Sequence, residues 1–130
     1  MGKFFTFSQN NSGGGFDHDE KAGIGHYVIV EAKDAEDANR RAESIGLYFN
    51  GVSDDRDCEC CGDRWYEQSN DEGSDSPMIY DQDVSSGQYM PSWLAWGLDS
   101  YIHYMDGRIE VVKELNPKNK DNYENRTANN

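Results

Sequence analysis

The sequence predicts an α+β domain: a small antiparallel sheet with one helix packed across it and a β-hairpin near the C-terminus. Three observations predict it. Two stretches near the N-terminus carry apolar residues with a period of two. One following stretch carries small apolar residues at helical spacing between recognisable caps. An Asp-Gly dipeptide separates two further alternating stretches near the C-terminus. The 130 residues suit one domain, expected over 1–115, with residues 116–130 as a disordered tail.

Lys3 to Ser8 (KFFTFS) reads as a strand, with Phe5 and Phe7 on one face and Phe4 and Thr6 on the other. Residues 10–25 form a Gly-rich loop. His26 to Ala32 (HYVIVEA) is the clearest strand. Val28 and Val30 alternate with Tyr27 and Ile29, so both faces are apolar and the strand belongs at the centre of the sheet. A helix follows, with Asp34 as N-cap and Asp37 at the third helical position as an acidic capping box. Ala35, Ala38, Ala42 and Ile45 recur on one face, and Gly46 ends the helix. Glu36 with Arg40 and Asp37 with Arg41 form i,i+4 pairs worth about 0.3–0.5 kcal/mol each. Leu47, Tyr48 and Phe49 lock the exit.

Residues 50–76 are acidic and rich in turn formers. Pro77 to Tyr80 reads as a short strand, Ser85 to Gly87 as a turn, and Pro91 to Ser100 as one or two helical turns with Trp93 and Trp96 on one face. Tyr101 to Leu115 reads as a hairpin around Asp106-Gly107, the dipeptide most favoured for a two-residue type I′ loop. In that register Tyr104 faces Ile109, Ile102 faces Val111, and His103 faces Glu110 on the outer surface.

Composition narrows the function classes. Apolar residues make up 35% of the chain, but eight Tyr, five Phe and three Trp let a modest core bury a large area. The net charge of −13 argues against direct contact with nucleic acid or an anionic membrane, which need a positive surface. It favours a basic protein partner or a cation. Met1 to Ser8 has no apolar run, so no signal peptide is expected, and no window approaches the roughly 18 apolar residues of a membrane span. Three cysteines within four positions do not make a secreted disulfide framework, so a cytosolic location is expected. No Ser-His-Asp or Cys-His arrangement follows from spacing, and an enzyme is not expected.

The segment Asp57-Cys58-Glu59-Cys60-Cys61-Gly62-Asp63-Arg64-Trp65-Tyr66 is the densest in chemistry. It lies inside a stretch, Asp54 to Asp83, with eleven Asp or Glu against two Arg. Cys58 and Cys61 have the C-x-x-C spacing that lets two thiolates share a tetrahedral zinc, and Gly62 suits the backbone after such a knuckle. Cys60 is a third candidate, so a structural zinc on Cys58, Cys60 and Cys61 is a candidate cofactor. There is no second C-x-x-C pair, which leaves His18, His26, His103 and the nearby carboxylates as candidates for the remaining ligand. Neighbouring carboxylates are expected to raise the thiol pKa values, which argues against a redox role. The alternative site combines Gly13, Gly14 and Gly15 with Arg56, Arg64, Trp65 and Tyr66. An arginine fork beside aromatic planes is what a nucleotide pocket needs, while the plain reading of Arg56 and Arg64 is internal ion pairing that orders the loop. The glycine run lacks the Lys-Ser/Thr of a phosphate loop, and its plain reading is a flexible connection. His18, flanked by Asp17 and Asp19, reads as a solvated loop histidine.

The runs KFFTFSQNNSGGGFDHDEKAGIGHYVIVEA, DAEDANRRAESIGLYFNGV and DCECCGDRWY resemble a family of small proteins of bacteriophage genomes over about residues 3–80. The resemblance carries no catalytic residues. It implies action in the host-cell cytoplasm, where counter-defence is a common role. The resulting expectation is a phage-encoded inhibitor that binds a host immune protein stoichiometrically. Asp54, Asp55, Asp57, Glu59, Asp63, Glu67, Asp71 and Glu72 would imitate DNA phosphates in a basic nucleic-acid-binding cleft, with Trp65 and Tyr66 as apolar anchors. The alternatives are sequestration of a nucleotide immune signal in the second site, with possible homo-oligomer symmetry, and a zinc-stabilised interaction module.

Overall fold

Seven strands and one α-helix build the domain in a computed structural model that describes residues 2–10, 16–90 and 98–115. In chain order they are β1 (Lys3–Ser8), β2 (Tyr27–Ala32), α1 (Ala35–Ile45), β3 (Met78–Ile79), β4 (Gln82–Asp83), β5 (Gln88–Tyr89), β6 (Ser100–His103) and β7 (Ile109–Glu114), with a 3-10 turn at Asn70–Glu72 before β3. The expected helical turns around Trp93 and Trp96, the Gly13–Gly15 run and the 116–130 tail lie outside the described residues.

The five-stranded sheet has the order β1-β2-β6-β7-β5, and β3 and β4 form a separate two-stranded hairpin. The α+β class is as expected, but the sheet is mixed. β1 pairs antiparallel with β2, and β6 with β7, whereas β2 pairs parallel with β6 and β5 parallel with β7. A parallel pair needs a long crossover, and the chain between β2 and β6 provides one in α1 and the acidic loop. β2 sits inside the sheet with both faces covered, as its two apolar faces require.

The alternation of β1 and β2 divides the core in two. Phe5, Phe7, Val28, Val30 and Ala32 face α1, whose Ala35, Ala38 and Ala42 let the helix approach closely. Phe4, Tyr27 and Ile29 face the other way, onto Ile79, Val84, Tyr89, Ile102 and Val112. The free edge of β1 is covered by Ser74, which exchanges two backbone hydrogen bonds with Phe4 at 2.8 and 2.9 Å.

The caps of α1 follow the sequence. Asp34 accepts from the Asp37 N–H at 2.8 Å, and Gly46, at φ +128°, closes the C-terminus. Asp37 does more than cap, because its carboxylate is almost fully buried. It accepts from the Lys33 N–H at 3.2 Å and from Arg41 Nε at 3.0 Å, and it pairs with Arg40. Arg40 therefore turns to Asp37 rather than to Glu36.

The C-terminal hairpin differs from the expected register by one residue. Its loop has three residues, Met105-Asp106-Gly107, with Gly107 at φ +93° and the Tyr104 N–H donating to the Arg108 carbonyl at 2.9 Å. This is a type I turn closed by a left-handed glycine, the second common use of Asp-Gly. His103 lies opposite Ile109, Ile102 opposite Glu110 and Tyr101 opposite Val111. A one-residue slip exchanges the faces of a strand, so Val112 enters the core while Val111 stays 40% exposed. His103 is buried rather than on the outer surface, its Nε2 2.7 Å from the Gly23 carbonyl. Glu110 instead accepts from the Tyr104 hydroxyl at 2.6 Å.

Two predictions follow from the buried ionisable groups. Burial pushes the Asp37 carboxyl up, but hydrogen bonds from Arg41 and the Lys33 N–H, with the nearby arginine charges, outweigh it and hold the pKa below its ordinary value. Asp37→Ala should cost about 1–3 kcal/mol at neutral pH by urea unfolding. That cost should fade as pH falls through the depressed pKa, where wild type also loses the charge. His26 and His103 have pKa values lowered by burial, against the opposing pull of Glu114 and the Gly23 carbonyl respectively. Their neutral forms are favoured in the folded state, so this contribution is present above the ordinary value of 6.5 and lost as pH falls through the folded-state values. The thermal midpoint should drop from about pH 7.5 to about pH 5, less so in a His26→Gln/His103→Gln variant.

Candidate functional site

The chain leaving α1 runs from Leu47 to Ser69 without regular secondary structure. Side chains that turn inward hold it. Trp65 is 1% exposed and packs in the helix-side core with Phe5, Phe7 and Leu47. Arg64 is also buried. Its Nη1 donates to Gln9 Oε1 at 2.8 Å and its Nε to the Tyr48 hydroxyl at 3.1 Å, and Asp17 lies 3.5 Å from Nε. Asp57 completes the network with a fully buried side chain. It accepts from the Tyr48 hydroxyl and from the Arg64 N–H, both at 2.8 Å.

The backbone is shaped to admit that carboxylate. A Cβ on Gly51 would lie 1.8 Å from Asp57 Oδ2, so only glycine allows the approach. The Val52 N–H donates to Asp63 Oδ1 at 2.9 Å, and Asn10 bridges the loop to β1 through Nδ2 contacts with the carbonyls of Cys61 (2.6 Å) and Asp63 (3.2 Å). At the far end, Asn39 of α1 exchanges hydrogen bonds with the Gln68 backbone at 2.8 and 3.1 Å. Gln9, Asn10 and Asn39 have no signature in the sequence, since polar residues of these types read equally well as solvated, and Tyr48, expected to lock the helix exit, gives no sign of its hydrogen bonds with Arg64 and Asp57.

This geometry sorts the predicted residues. Asp54, Asp55, Glu59, Tyr66, Glu67, Asp71 and Glu72 are exposed, with Tyr66 at 54%. Asp71 and Glu72 also accept from Ser69 in the 3-10 turn. Asp57, Asp63 and Trp65 turn inward or are half-buried, so Trp65 is a core residue and not a surface anchor. Arg64 and Trp65 likewise do not form an open nucleotide pocket with Arg56 and Tyr66. The Arg56 guanidinium stacks over the Tyr48 ring at 3.6 Å.

The three cysteines come together at the crest of the loop. Their sulfurs lie within 4.8 Å of one another, close enough to hold one metal ion. Cys58 Sγ is 2.6 Å from Cys60 Sγ, and Cys60 Sγ is 3.7 Å from Cys61 Sγ. The Cys61 and Gly62 N–H groups both donate to the Cys58 carbonyl, at 3.2 and 3.0 Å, and Gly62 takes φ +87°. A hydrogen bond from Cys60 and the N–H groups of Cys60 and Cys61 hold the Cys58 thiol below its ordinary pKa. Hydrogen bonding to Cys58 and Cys61 pushes Cys60 up to about 11. Both shifts are set chiefly by the neighbouring cysteines and not by the carboxylates from which a rise was expected.

A second titratable group lies elsewhere. Tyr89 donates to Glu114 Oε2 at 2.9 Å, and His26 Nδ1 is 3.5 Å from the same oxygen. This cluster joins β5 and β7 to the residue that precedes β2. A shallow cleft of about 260 Å³ between α1 and the ends of β2 and β6, lined in part by Glu31, Arg41 and Tyr104, holds none of the predicted site residues.

The burial pattern predicts opposite outcomes for two adjacent aromatics. Trp65→Ala should cost about 3–5 kcal/mol in urea unfolding. Tyr66→Ala should stay within about 0.5 kcal/mol of wild type.

No helix among the described residues is long and apolar enough to cross a membrane. No curated protein and no solved structure matches the chain. One family model does, over residues 2–119, and that extent places the chain in the family described as a domain of unknown function, DUF7296.

Proposed function

We propose that this protein is a non-enzymatic binding protein whose acidic loop occupies a basic surface on a partner protein. The observation that carries the reading is a division of labour within one stretch. Of the eleven carboxylates between Asp54 and Asp83, nine are exposed, while Arg64, Trp65 and Asp57 pin the backbone beneath them. A carboxylate array on a pinned scaffold loses little conformational entropy on docking and presents a fixed charge pattern. Such an array can stand in for DNA phosphates in a nucleic-acid-binding cleft. With the resemblance to small phage proteins, the partner is a host immune protein, the setting is the host cytoplasm and the mode is stoichiometric inhibition.

A structural zinc fits the same surface. Three thiols on one knuckle-like turn are a donor set that zinc accepts, and an ion there would tie the crest of the loop together. Nucleotide sequestration has less support, because Arg64 and Trp65 face inward and leave Arg56 and Tyr66 to form the site.

Binding to the captured partner should weaken at least about 10-fold between roughly 50 mM and 500 mM salt. The triple substitution Asp54→Asn/Asp55→Asn/Glu59→Gln should weaken it further at low salt while leaving the thermal midpoint within a few degrees. Affinity that is unchanged across the salt range sinks the charge-mimicry reading.

A further inference from the structure

We infer that a metal ion at Cys58, Cys60 and Cys61 is held by three thiolates from this chain and keeps its fourth position open for a histidine or cysteine side chain of the partner protein. The inference rests on the metal reading of the cluster and adds what completes the coordination.

Zinc and cobalt(II) in thiolate sites are tetrahedral, with metal–sulfur bonds of about 2.3 Å, which places the sulfurs about 3.8 Å apart. Cys60 and Cys61 already stand 3.7 Å apart. Cys58 and Cys60, at 2.6 Å, must open by about 1 Å. That adjustment is a side-chain rotation in a half-exposed to exposed loop. Their separation exceeds a disulfide bond, and none of the three is in a disulfide.

The fourth donor is the informative part. Among the described residues, no His, Asp or Glu joins the three sulfurs within the same 4.8 Å cluster. Of the carboxylates beside the knuckle, Asp57 faces Tyr48 and the Arg64 N–H, Asp63 faces the Val52 N–H, and Glu59, though exposed, does not place an oxygen within the sulfur cluster. Cys60 and Cys61 are exposed, so a donor from outside the chain can reach the cluster. A structural site closes four protein ligands around zinc, whereas three ligands leave a place for an exchangeable one. The thiolates and the ion together carry one negative charge, so the site keeps the sign of its surroundings. A basic partner drawn in by the acidic loop brings its own soft nitrogen or sulfur donor to that position.

The test uses the reduced full chain and cobalt(II) alone. One equivalent should give intense sulfur-to-cobalt charge transfer and tetrahedral visible bands, and zinc should bleach both. Cys58→Ser, Cys60→Ser and Cys61→Ser should each weaken the charge transfer, with far-UV circular dichroism unchanged. Imidazole, and separately a small monothiol, added to the preformed complex should shift the visible bands saturably without releasing cobalt. Bands that ignore both donors overturn the open position and leave the metal reading standing. One cobalt per two chains also overturns it, because a second copy then supplies the missing ligands. The absence of any charge-transfer band removes the metal reading itself.

Discussion

A buried guanidinium determines the shape of the functional half of this molecule. Burial of a guanidinium such as that of Arg64 requires acceptors from several directions at once. Gln9 at the end of β1, Tyr48 after α1, and Asp17 and Asp57 from two loops converge on it. The next residue, Trp65, enters the core beneath α1. Together they hold an irregular segment of more than twenty residues against the sheet, a length at which loops are otherwise heterogeneous or functional. Removing any one partner leaves a buried charge short of an acceptor, so the network constrains Asp57 and Gly51 as tightly as Arg64.

The same network explains how a chain of net charge −13 carries its acidic concentration without disrupting the fold. Two deeply buried carboxylates balance arginines, Asp57 at Arg64 and Asp37 at Arg40 and Arg41, while Asp75 and Asp106 pair with Lys3 and Arg108 at the surface. Those left outside repel one another at the crest, a cost that does nothing for stability. Local disagreement with foldability of this kind is expected where a surface serves recognition.

Much of the framework was legible in the residues. The period-two alternation of KFFTFS and YVIVEA assigned each Phe, Val and Ile to the correct face, and Asp34 and Gly46 marked α1 to within its observed bounds. Two things were not legible. Periodicity reports which face a residue occupies but not which strand lies beside it, so the parallel pairing of β2 with β6 had no local signal. The Asp106-Gly107 turn supports two loop lengths, and the choice between them moved Val112, not Val111, into the core. In the acidic loop, Trp65 read as a surface anchor because its neighbours are charged, and Arg64 as either an internal ion pair, which is what the structure shows, or a phosphate fork. Their inward turn depends on Gln9 and Tyr48, residues too ordinary to announce a role.

The central claim is that the acidic loop is an ordered platform and not a solvated tether, and amide hydrogen exchange tests it most directly. The Arg64, Gly62 and Val52 N–H groups donate to Asp57, Cys58 and Asp63, and the Asn10 N–H donates to Arg64. The account predicts slow exchange at Arg64 and Asn10, approaching that of β2, with Gly62 and Val52 intermediate. Exchange at free-peptide rates from Gly51 to Trp65, with β1 and β2 still protected, would contradict it.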